Sequence, residues 1–391
     1  MKSYISKISI LIYILLCVMI ASCSETPGKV TTISFNPNAE IRSISETGII
    51  KNVKLIKLES DSCMVGKVDK VLCNDSLLYI MDAYITNEVY IFTQEGRFVS
   101  KISRRGHGKY EYTQLSDIFF DTDNNALCLL SRDDQKIISL TPDGKKVLGE
   151  SRLPKAFSHM MPTVDGYIGY MLNCSQNPCM PYNVWTLDKS FSLLDGFIPI
   201  DRQLESRSID GINTLSTYGT TSYFKPEYVN TIYQIENEKV CERYKLDFGQ
   251  KTFPDLSSVS HDNEDEWSKL DMEKISNVFN YMETDDYILM DFVMDGLFHL
   301  GIYYKHNQTS EITSLDCYEN EYLLSFGWIK GMEQSAIYSV VEHEDVYDVW
   351  VGHNEYVNFE EEYPTQVSNL RKLFPKLEED GNPFIAIYSL K

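Results

Sequence analysis

Short runs of alternating apolar and polar residues recur through the middle of the chain, and each run ends at a turn. Four of them end at Phe92, Leu140, Leu187 and Ile235, which are 48, 47 and 48 residues apart. Alternation of this kind predicts half-buried β-strands, and a repeat of about 40 to 50 residues is typical of propeller blades. Because one blade cannot bury both of its faces, the pattern predicts a ring of stacked blades.

The turns after these runs strengthen the prediction. Residues 93–97 read Thr-Gln-Glu-Gly-Arg and residues 141–145 read Thr-Pro-Asp-Gly-Lys. In both, a glycine stands where a positive φ lets one strand fold back on the next. A fifth run ends at Tyr303, 68 residues after Ile235. The extra length holds an amphipathic segment, residues 264–279, which predicts an inserted helix.

The last part of the chain contains three further predicted strands, at residues 335–341, 347–351 and 384–390, and a second amphipathic helix at residues 364–374. The predicted fold is therefore all-β: a six-bladed β-propeller of four-stranded antiparallel blades with two short helical insertions. An open ring would expose unpaired strand edges, so we expect N- and C-terminal strands to close it in one blade. Either residues 53–58 or residues 31–35 are expected to pair in the blade that holds residues 384–390.

The N-terminus has the features of an export signal. Lys2 and Lys7 precede an apolar run at residues 8–20, and Ile20-Ala21-Ser22-Cys23 follows. The apolar run is too short for a stable membrane span. The sequence predicts a lipoprotein signal peptide at residues 1–22, lipidation at Cys23, a polar tether at residues 23–40 and a propeller domain at residues 41–391. The alternative is an ordinary signal peptide with an incidental cysteine.

Ser24 after the lipidated cysteine indicates the outer membrane of the cell envelope, and the side that the domain faces stays open. The chain has 57 acidic and 36 basic residues, a formal net charge of −21, which argues against a nucleic-acid partner. In an oxidising compartment Cys174 and Cys179 could close a small disulfide, and Cys63 and Cys73 form a second candidate pair.

Segments along most of the chain resemble one known family. In the N-terminal part they are residues 57–60 and 66–70, the predicted strands at 78–82 and 89–98, and the loop Gly106-His107-Gly108-Lys109-Tyr110-Glu111-Tyr112. Further along they are residues 225–233, 244–249 and 378–384. Together they resemble the six-bladed, NHL-repeat-like propeller lipoproteins of Gram-negative anaerobes. The resemblance implies six blades and a lipid anchor, and it implies little chemistry. Lys109 and Tyr110 replace the family's Pro and Gly, so a less tight turn is expected.

No set of residues forms a recognisable catalytic motif. The segment 121–125, Asp-Thr-Asp-Asn-Asn, has the oxygen spacing of a calcium loop but lacks the following glycine and the distal glutamate. His107 could face a central funnel, although an exposed loop histidine is the simpler interpretation. The acidic, histidine-containing runs at residues 261–266 and 342–345 are weak candidates for a divalent ion. The four tryptophans, Trp185, Trp267, Trp328 and Trp350, do not recur at blade spacing, which favours packing over a sugar platform.

The leading hypothesis is a lipid-anchored, non-enzymatic propeller that binds a protein, a peptide or a glycan and needs no cofactor. One alternative is a propeller hydrolase or lyase with a divalent ion, such as calcium, in the funnel. Another is an accessory or sensor subunit of an outer-membrane nutrient-uptake complex. The rim loops are the expected binding face.

Overall fold

A computed structural model of the chain describes residues 30–391, apart from positions 75, 175–180, 206, 208–212, 237–238, 261, 316–319 and 334. Its strands form six sheets, each of which is one blade. Blade 1 contains β4 (Lys70–Cys73), β5 (Leu77–Asp82), β6 (Glu88–Thr93) and β7 (Phe98–Ile102). Blade 2 contains β8 (Asp117–Asp121), β9 (Ala126–Ser131), β10 (Lys136–Leu140) and β11 (Val147–Arg152). Blade 3 contains β12 (His159–Pro162), β13 (Gly166–Tyr170), β14 (Tyr182–Asp188) and β15 (Leu193–Pro199).

Blade 4 contains β16 (Leu215–Tyr218), β17 (Thr221–Phe224), β18 (Thr231–Glu236) and β19 (Lys239–Asp247). Blade 5 contains β20 (Val278–Glu283), β21 (Tyr287–Met294), β22 (Leu297–Tyr304) and β23 (Thr309–Ser314). Blade 6 contains β24 (Trp328–Glu333), β25 (Ala336–Val341), β26 (Phe384–Leu390) and β3 (Ile50–Lys57). The six-bladed fold is confirmed, and the runs that repeat in the sequence are the third strands of blades 1 to 5.

Strands from both ends of the chain close the ring, as predicted. The C-terminal β26 lies between β25 and the N-terminal β3, and Ile385 pairs with Ile56 in an antiparallel register. The first of the two candidate segments, residues 53–58, therefore supplies the closing strand. Because β3 caps the edge of β26, blade 6 presents no unpaired C-terminal strand.

The other candidate segment takes a different place. Residues 31–34, assigned above to the polar tether, form β1 (Thr31–Ser34), which pairs in parallel with β19 on the outer edge of blade 4. The short β2 (Arg42–Ser43) pairs in the same way with β23 of blade 5. Phe35 anchors this N-terminal belt, since its ring lies 5.1 Å from that of Phe248 and is almost fully buried. The belt thus covers the outer edges of blades 4 and 5 before the chain enters blade 6 as β3.

The five α-helices of the described residues fall into three groups. α1 (Ile44–Thr47) joins the belt to β3, and α2 (Glu264–Glu273) lies between blades 4 and 5. α3 (His343–Val351), α4 (Phe359–Glu362) and α5 (Pro364–Leu373) form one insertion inside blade 6. None of the helices in the described ranges is long and apolar enough to cross a membrane.

The predicted strand at residues 347–351 is wrong, because this segment belongs to α3. Val346 and Val349 are buried and the half-buried Trp350 packs against the same cluster, which is the i, i+3, i+4 spacing of a helix face. The helix ends at Gly352, whose φ of 102° caps it in the left-handed region. The helices predicted at residues 264–279 and 364–374 exist, although the first ends at Glu273 and Val278 already belongs to β20.

The two faces of the ring differ because of the strand order. In every blade the first strand is innermost, and the inner strands of neighbouring blades contact one another. Since successive strands are antiparallel, the loops between blades and those between second and third strands lie on the same face. We call this the loop face. It carries both large helical insertions, whereas the opposite face has short hairpin turns.

Candidate functional site

Six residues lie where the six inner strands begin on the loop face, around the centre of the ring. Each is the first residue of an inner strand or the residue just before it, and each comes from a different blade. We call this set the mouth ring: Lys70, Asp117, His159, Thr214, Asn277 and Trp328. Because the inner strands start at the same face around a closed ring, side chains far apart in sequence are brought to one place.

A buried ion pair links blades 1, 2 and 3 at this opening. Lys70 Nζ lies 2.7 Å from Asp117 Oδ1, and His159 Nδ1 lies 3.6 Å from Asp117 Oδ2. The same Oδ2 accepts a hydrogen bond from the Met160 amide at 3.1 Å. Burial alone would raise the pKa of the Asp117 carboxyl, but Lys70 and His159 together lower it below the ordinary value. The carboxylate is therefore ionised and fully engaged in holding three blades together.

Blades 3 and 4 share a second polar contact on the same side. The His159 ring stacks on Tyr170 with centroids 6.1 Å apart, and the Tyr170 hydroxyl donates to Glu227 Oε2 at 3.2 Å. Lys225 is only 4 % exposed. Burial lowers the pKa of its ammonium to about 7, and Glu227 partly opposes this effect. These groups fix the loop between the second and third strands of blade 4 beside the mouth ring.

Two mouth-ring side chains carry polar atoms with no hydrogen-bond partner among the described residues. They are the Oγ1 of Thr214 and the Nδ2 of Asn277, and both residues are more than nine-tenths buried. The Oγ of Ser158, next to His159, is in the same situation. Buried polar atoms are normally bonded, so such atoms indicate ordered water or a bound molecule.

The buried carboxylate of Asp291 also has fixed hydrogen-bond partners. Asp291 of β21 accepts hydrogen bonds from the amide and the side chain of Asn280, at 2.7 and 2.9 Å. Asn280 in turn accepts from Asn213 Nδ2 at 2.7 Å. Burial raises the pKa of Asp291 to about 7. Asp117 and Asp291 therefore both have fixed partners, and neither is a free carboxylate for acid–base chemistry.

An aromatic strip completes the mouth on the side of blades 5 and 6. Trp328 is 53 % exposed, and its ring meets Phe298 edge to face with centroids 4.8 Å apart. Phe298 lies 5.8 Å from Phe279, and both rings are half-buried. No local sequence signal separates Trp328 from the other tryptophans, because its exposure depends on its position at the start of an inner strand.

The loop face is also the face that exposes large apolar side chains. Of the 13 large hydrophobic side chains that are exposed among the described residues, nine belong to its loops, helices or strand ends: Met64, Tyr84, Ile85, Tyr182, Met272, Leu297, Trp328, Tyr356 and Leu373. The other four lie on the belt, the outer strands or the opposite face. The loop face is therefore the more apolar of the two faces among the described residues.

The other residues singled out in the sequence do not join the mouth. Asp121 Oδ2 accepts from the Tyr167 hydroxyl at 2.6 Å, and Asp123 Oδ2 lies 2.6 Å from Lys189 Nζ, so these calcium candidates bond to blade 3. His107 is exposed on the loop after the outer strand of blade 1. Among the described residues, no group of three or more histidine, cysteine or acidic side chains could hold a metal ion.

The remaining candidates pack within the protein. His343 is buried, with its ring nitrogens 3.1 and 2.9 Å from two backbone carbonyls of the blade 6 insertion. Trp267 is fully buried, and Trp350 donates to the carbonyl of Phe374 at 2.8 Å.

The predicted modification and disulfide sites are only partly within the described residues. Cys63 and Cys73 are free thiols, so the second candidate disulfide is wrong. Cys23, the signal peptide, Cys179 and His261 lie outside the described residues, and the Cys174–Cys179 disulfide stays a prediction.

Comparison with known proteins gives a family and a fold. A family model described as a domain of unknown function (DUF4934) matches residues 30–389. A solved Bacteroides fragilis structure, described as an exported protein, is similar with a TM-score of 0.70 and 19 % identity, covering 92 % of this chain and 100 % of that one. A member of the DUF4221 family from Bacteroides vulgatus has a TM-score of 0.50 and 9 % identity, covering 88 % and 97 %. No functionally curated protein matches the chain.

Proposed function

The chain belongs to the DUF4934 family, and from this premise we propose that it is a binding module of the cell envelope whose ligand docks at the mouth of the loop face. The observation that carries the proposal is Trp328, a half-exposed indole at the start of an inner strand, backed edge to face by Phe298. Exposed tryptophans are enriched at binding hot spots because they bury a large area when a ligand covers them.

The polar part of the mouth supports the same role. The Nδ2 of Asn277 and the hydroxyl of Thr214 have no hydrogen-bond partners among the described residues. A site that combines an aromatic face with a few polar groups suits a glycan or a peptide, since both present apolar and hydrogen-bonding surfaces. The engaged state of Asp117 and Asp291 favours binding over hydrolysis.

A glycan array and cross-linking in envelope extracts test this proposal with the full chain purified in mild detergent. Trp328→Ala should lose the ligand that the wild type captures. Val164→Ala is the matched control, because Val164 is 58 % exposed and lies on the opposite face. Equal capture by Trp328→Ala and the wild type would refute docking at the mouth.

We also propose that Cys23 carries the lipid that holds the module at the outer membrane. The support is the Ile20-Ala21-Ser22-Cys23 sequence after a short apolar run. Replacement of Cys23 by serine should release the protein from the membrane fraction, and labelling with a fatty-acid analogue should be lost in parallel. Membrane retention of the unlabelled variant would contradict the anchor.

A further inference from the structure

A second concave site lies on the circumference, where blades 1 and 2 meet, away from the mouth. The cavity has a volume of about 450 Å³, and its walls are the end of β7, the loop that follows β7 and the last turn of blade 2. Its charged lining consists of four cations and one acid: Lys101, Arg104, Arg105, Lys145 and Glu111. The chain has a net charge of −21, so the positive charge of this cavity lining is opposite in sign to that of the protein as a whole.

Of these five charged groups, Lys101 has a counter-charge within the fold, whereas Glu111 is held by a neutral amide and keeps its negative charge in the cavity. Lys101 Nζ lies 3.1 Å from Glu88 Oε2, and Glu111 Oε2 accepts the Gly108 amide at 2.8 Å. Arg104, Arg105 and Lys145 form no ion pair with any acidic side chain that the structure describes. The cavity therefore has an excess of positive charge that the protein itself does not neutralise.

The loop that carries the two arginines is held in place by Tyr112. Its amide donates to the Arg104 carbonyl at 2.9 Å, and its carbonyl accepts the Gly106 amide at 3.0 Å. The Tyr112 side chain is fully buried, and its hydroxyl donates to the Asn87 carbonyl at 2.9 Å. A Cβ at Gly106 would lie 2.1 Å from Glu111 Oε2, so a larger residue there would require the Glu111 side chain to move.

Tyr110, which stands in place of the family's glycine, does not open this loop. Tyr110 adopts a φ of 62°, the left-handed conformation that a glycine would favour, and its amide donates to Glu150 at 2.8 Å. The expectation of a less tight turn is therefore wrong. The chain keeps the tight loop although a non-glycine residue there costs about 1 to 2 kcal/mol.

The turn of blade 2 fixes the third cation in the same way. Gly144 has a φ of 68°, and a Cβ there would lie 2.6 Å from the Ile91 side chain in blade 1. The Ser100 hydroxyl of blade 1 donates to the Asp143 carbonyl. Lys145 follows directly, so its backbone is positioned by contacts with both blades.

The corresponding junction between blades 6 and 1 carries the opposite charge. Glu59 is the second residue after β3, as Arg104 is the second residue after β7. The Glu59 carboxylate accepts the Phe98 amide at 3.0 Å and the Ser62 hydroxyl at 2.6 Å. One junction is thus bonded by a carboxylate of the chain, whereas the other presents cations to an open cavity.

We infer that this cavity binds a multiply charged oxyanion, a phosphate or sulfate group, through Arg104, Arg105 and Lys145. Guanidinium groups offer paired N–H donors that match the oxygens of such anions, and a lysine adds a point charge. The group could belong to a free ion or to the headgroup of an anionic lipid, since both present the same oxygens.

Calorimetric titration of the full chain in mild detergent tests the inference, with inorganic phosphate, inorganic sulfate and chloride compared at equal ionic strength. We expect saturable binding of phosphate or sulfate beyond that of chloride. The double variant Arg104→Gln and Lys145→Gln should bind at least about tenfold more weakly, the effect of losing charged hydrogen bonds. Arg97→Gln is the matched control, because Arg97 is 77 % exposed in the corresponding turn of blade 1.

Two outcomes would overturn the inference: no saturable binding beyond chloride, or an equal loss in the Arg97→Gln control. Unfolding midpoints of the variants without ligand show whether the fold is intact. Glycerol phosphate, a soluble lipid headgroup, separates the two sources: tighter binding than inorganic phosphate supports a lipid, and equal or weaker binding supports a free ion. Trp328→Ala should leave phosphate binding unchanged, so failure of the mouth proposal stays distinguishable.

Discussion

The ion pair between Lys70 and Asp117 allows the sharpest test of how the ring is held together. The Asp117 side chain is 2 % exposed and that of Lys70 is 17 % exposed, so neither charge is well solvated by water alone. Asp117→Asn keeps the size of the side chain and removes the charge, and Lys70→Met keeps the aliphatic stem. Each variant leaves the other partner buried without its counter-charge.

The structure sets the expected magnitude. Removing one partner of a buried pair typically costs about 3 to 5 kcal/mol, and we expect about 3 kcal/mol for each of these conservative changes because Lys70 keeps some contact with solvent. If the two effects were independent, the double variant would lose about 6 kcal/mol. Because it leaves no unpaired charge, we expect a loss of about 3 to 4 kcal/mol and a coupling of about 2 to 3 kcal/mol.

Urea unfolding of the wild type, the two single variants and the double variant measures this coupling, provided that the m-value stays constant. Lys189 and Asp123 provide the control cycle, since their charged atoms are 2.6 Å apart but the side chains are 61 % and 58 % exposed. That pair should couple by less than about 1 kcal/mol. A coupling below about 0.5 kcal/mol at the buried pair, or equal coupling at both pairs, would refute the reasoning.

The pH dependence gives the same pair a second signature. The folded-state pKa of Asp117 is lower than its ordinary value of 3.8, so the unfolded chain binds more protons there as the pH falls. The stabilisation is therefore complete above about pH 5 and is lost progressively as the pH falls through the ordinary pKa and then the folded-state pKa. Asp117→Asn should remove this part of the acid sensitivity.

Three further outcomes are expected. Gly96→Ala should lower the free energy of unfolding by about 3 kcal/mol or more, because φ is 80° and the new Cβ would lie 2.0 Å from a carbonyl oxygen of the neighbouring blade. Gly219→Ala is the control: its φ is 61° and no atom lies within 4 Å, so it should cost about 1 kcal/mol in chemical denaturation. Stability should rise between pH 7 and 10 by up to about 1.4 kcal/mol per unit, because the unfolded chain binds more protons at Lys225, and Lys225→Met should flatten this slope. Trp267→Ala should lower the free energy of unfolding by about 3 to 5 kcal/mol and Trp328→Ala by less than about 1 kcal/mol, because only Trp267 is fully buried. Similar losses in the two variants would contradict the exposure of Trp328 at the mouth.

The blade scaffold was predictable because its signal is local. The third strands alternate in sequence, and their turns carry glycines such as Gly96 and Gly144 that must adopt positive φ. The repeat weakens after Ile235 because the longer connections around α2 and α3 to α5 interrupt the spacing. The error at residues 347–351 has a similar origin, since five residues are too few to separate a strand from one turn of a helix.

The mouth could not be predicted, because its residues are brought together only by ring closure. Lys70 and Asp117 are 47 residues apart in sequence, and neither belongs to a motif. Their contact depends on which strand is innermost in two different blades. The basic cavity shares this difficulty, since Arg104 and Lys145 come from the segment after one blade's last strand and from a turn of the next blade.

The residues just before the inner strands differ in their hydrogen-bond partners. In blade 1, Asp69 accepts the Ala83 amide at 2.8 Å, and in blade 2, Ser116 accepts the Arg132 amide at 3.0 Å, so these side chains cap loops of their own blades. At the same position in blade 4, the Thr214 hydroxyl has no such partner among the described residues.

Asn277 in blade 5 accepts the Tyr228 amide through its Oδ1 at 3.2 Å, and its Nδ2 has no partner among the described residues. The aromatic strip of Trp328 and the helical insertions α2 and α3 to α5 belong to blades 4 to 6 as well. The buried ion pair joins blades 1 to 3, although the Oγ of Ser158 in blade 3 also has no partner among the described residues. A ligand at the opening is expected to contact blades 4 to 6, where polar groups without partners and exposed aromatic surface lie on adjacent strands.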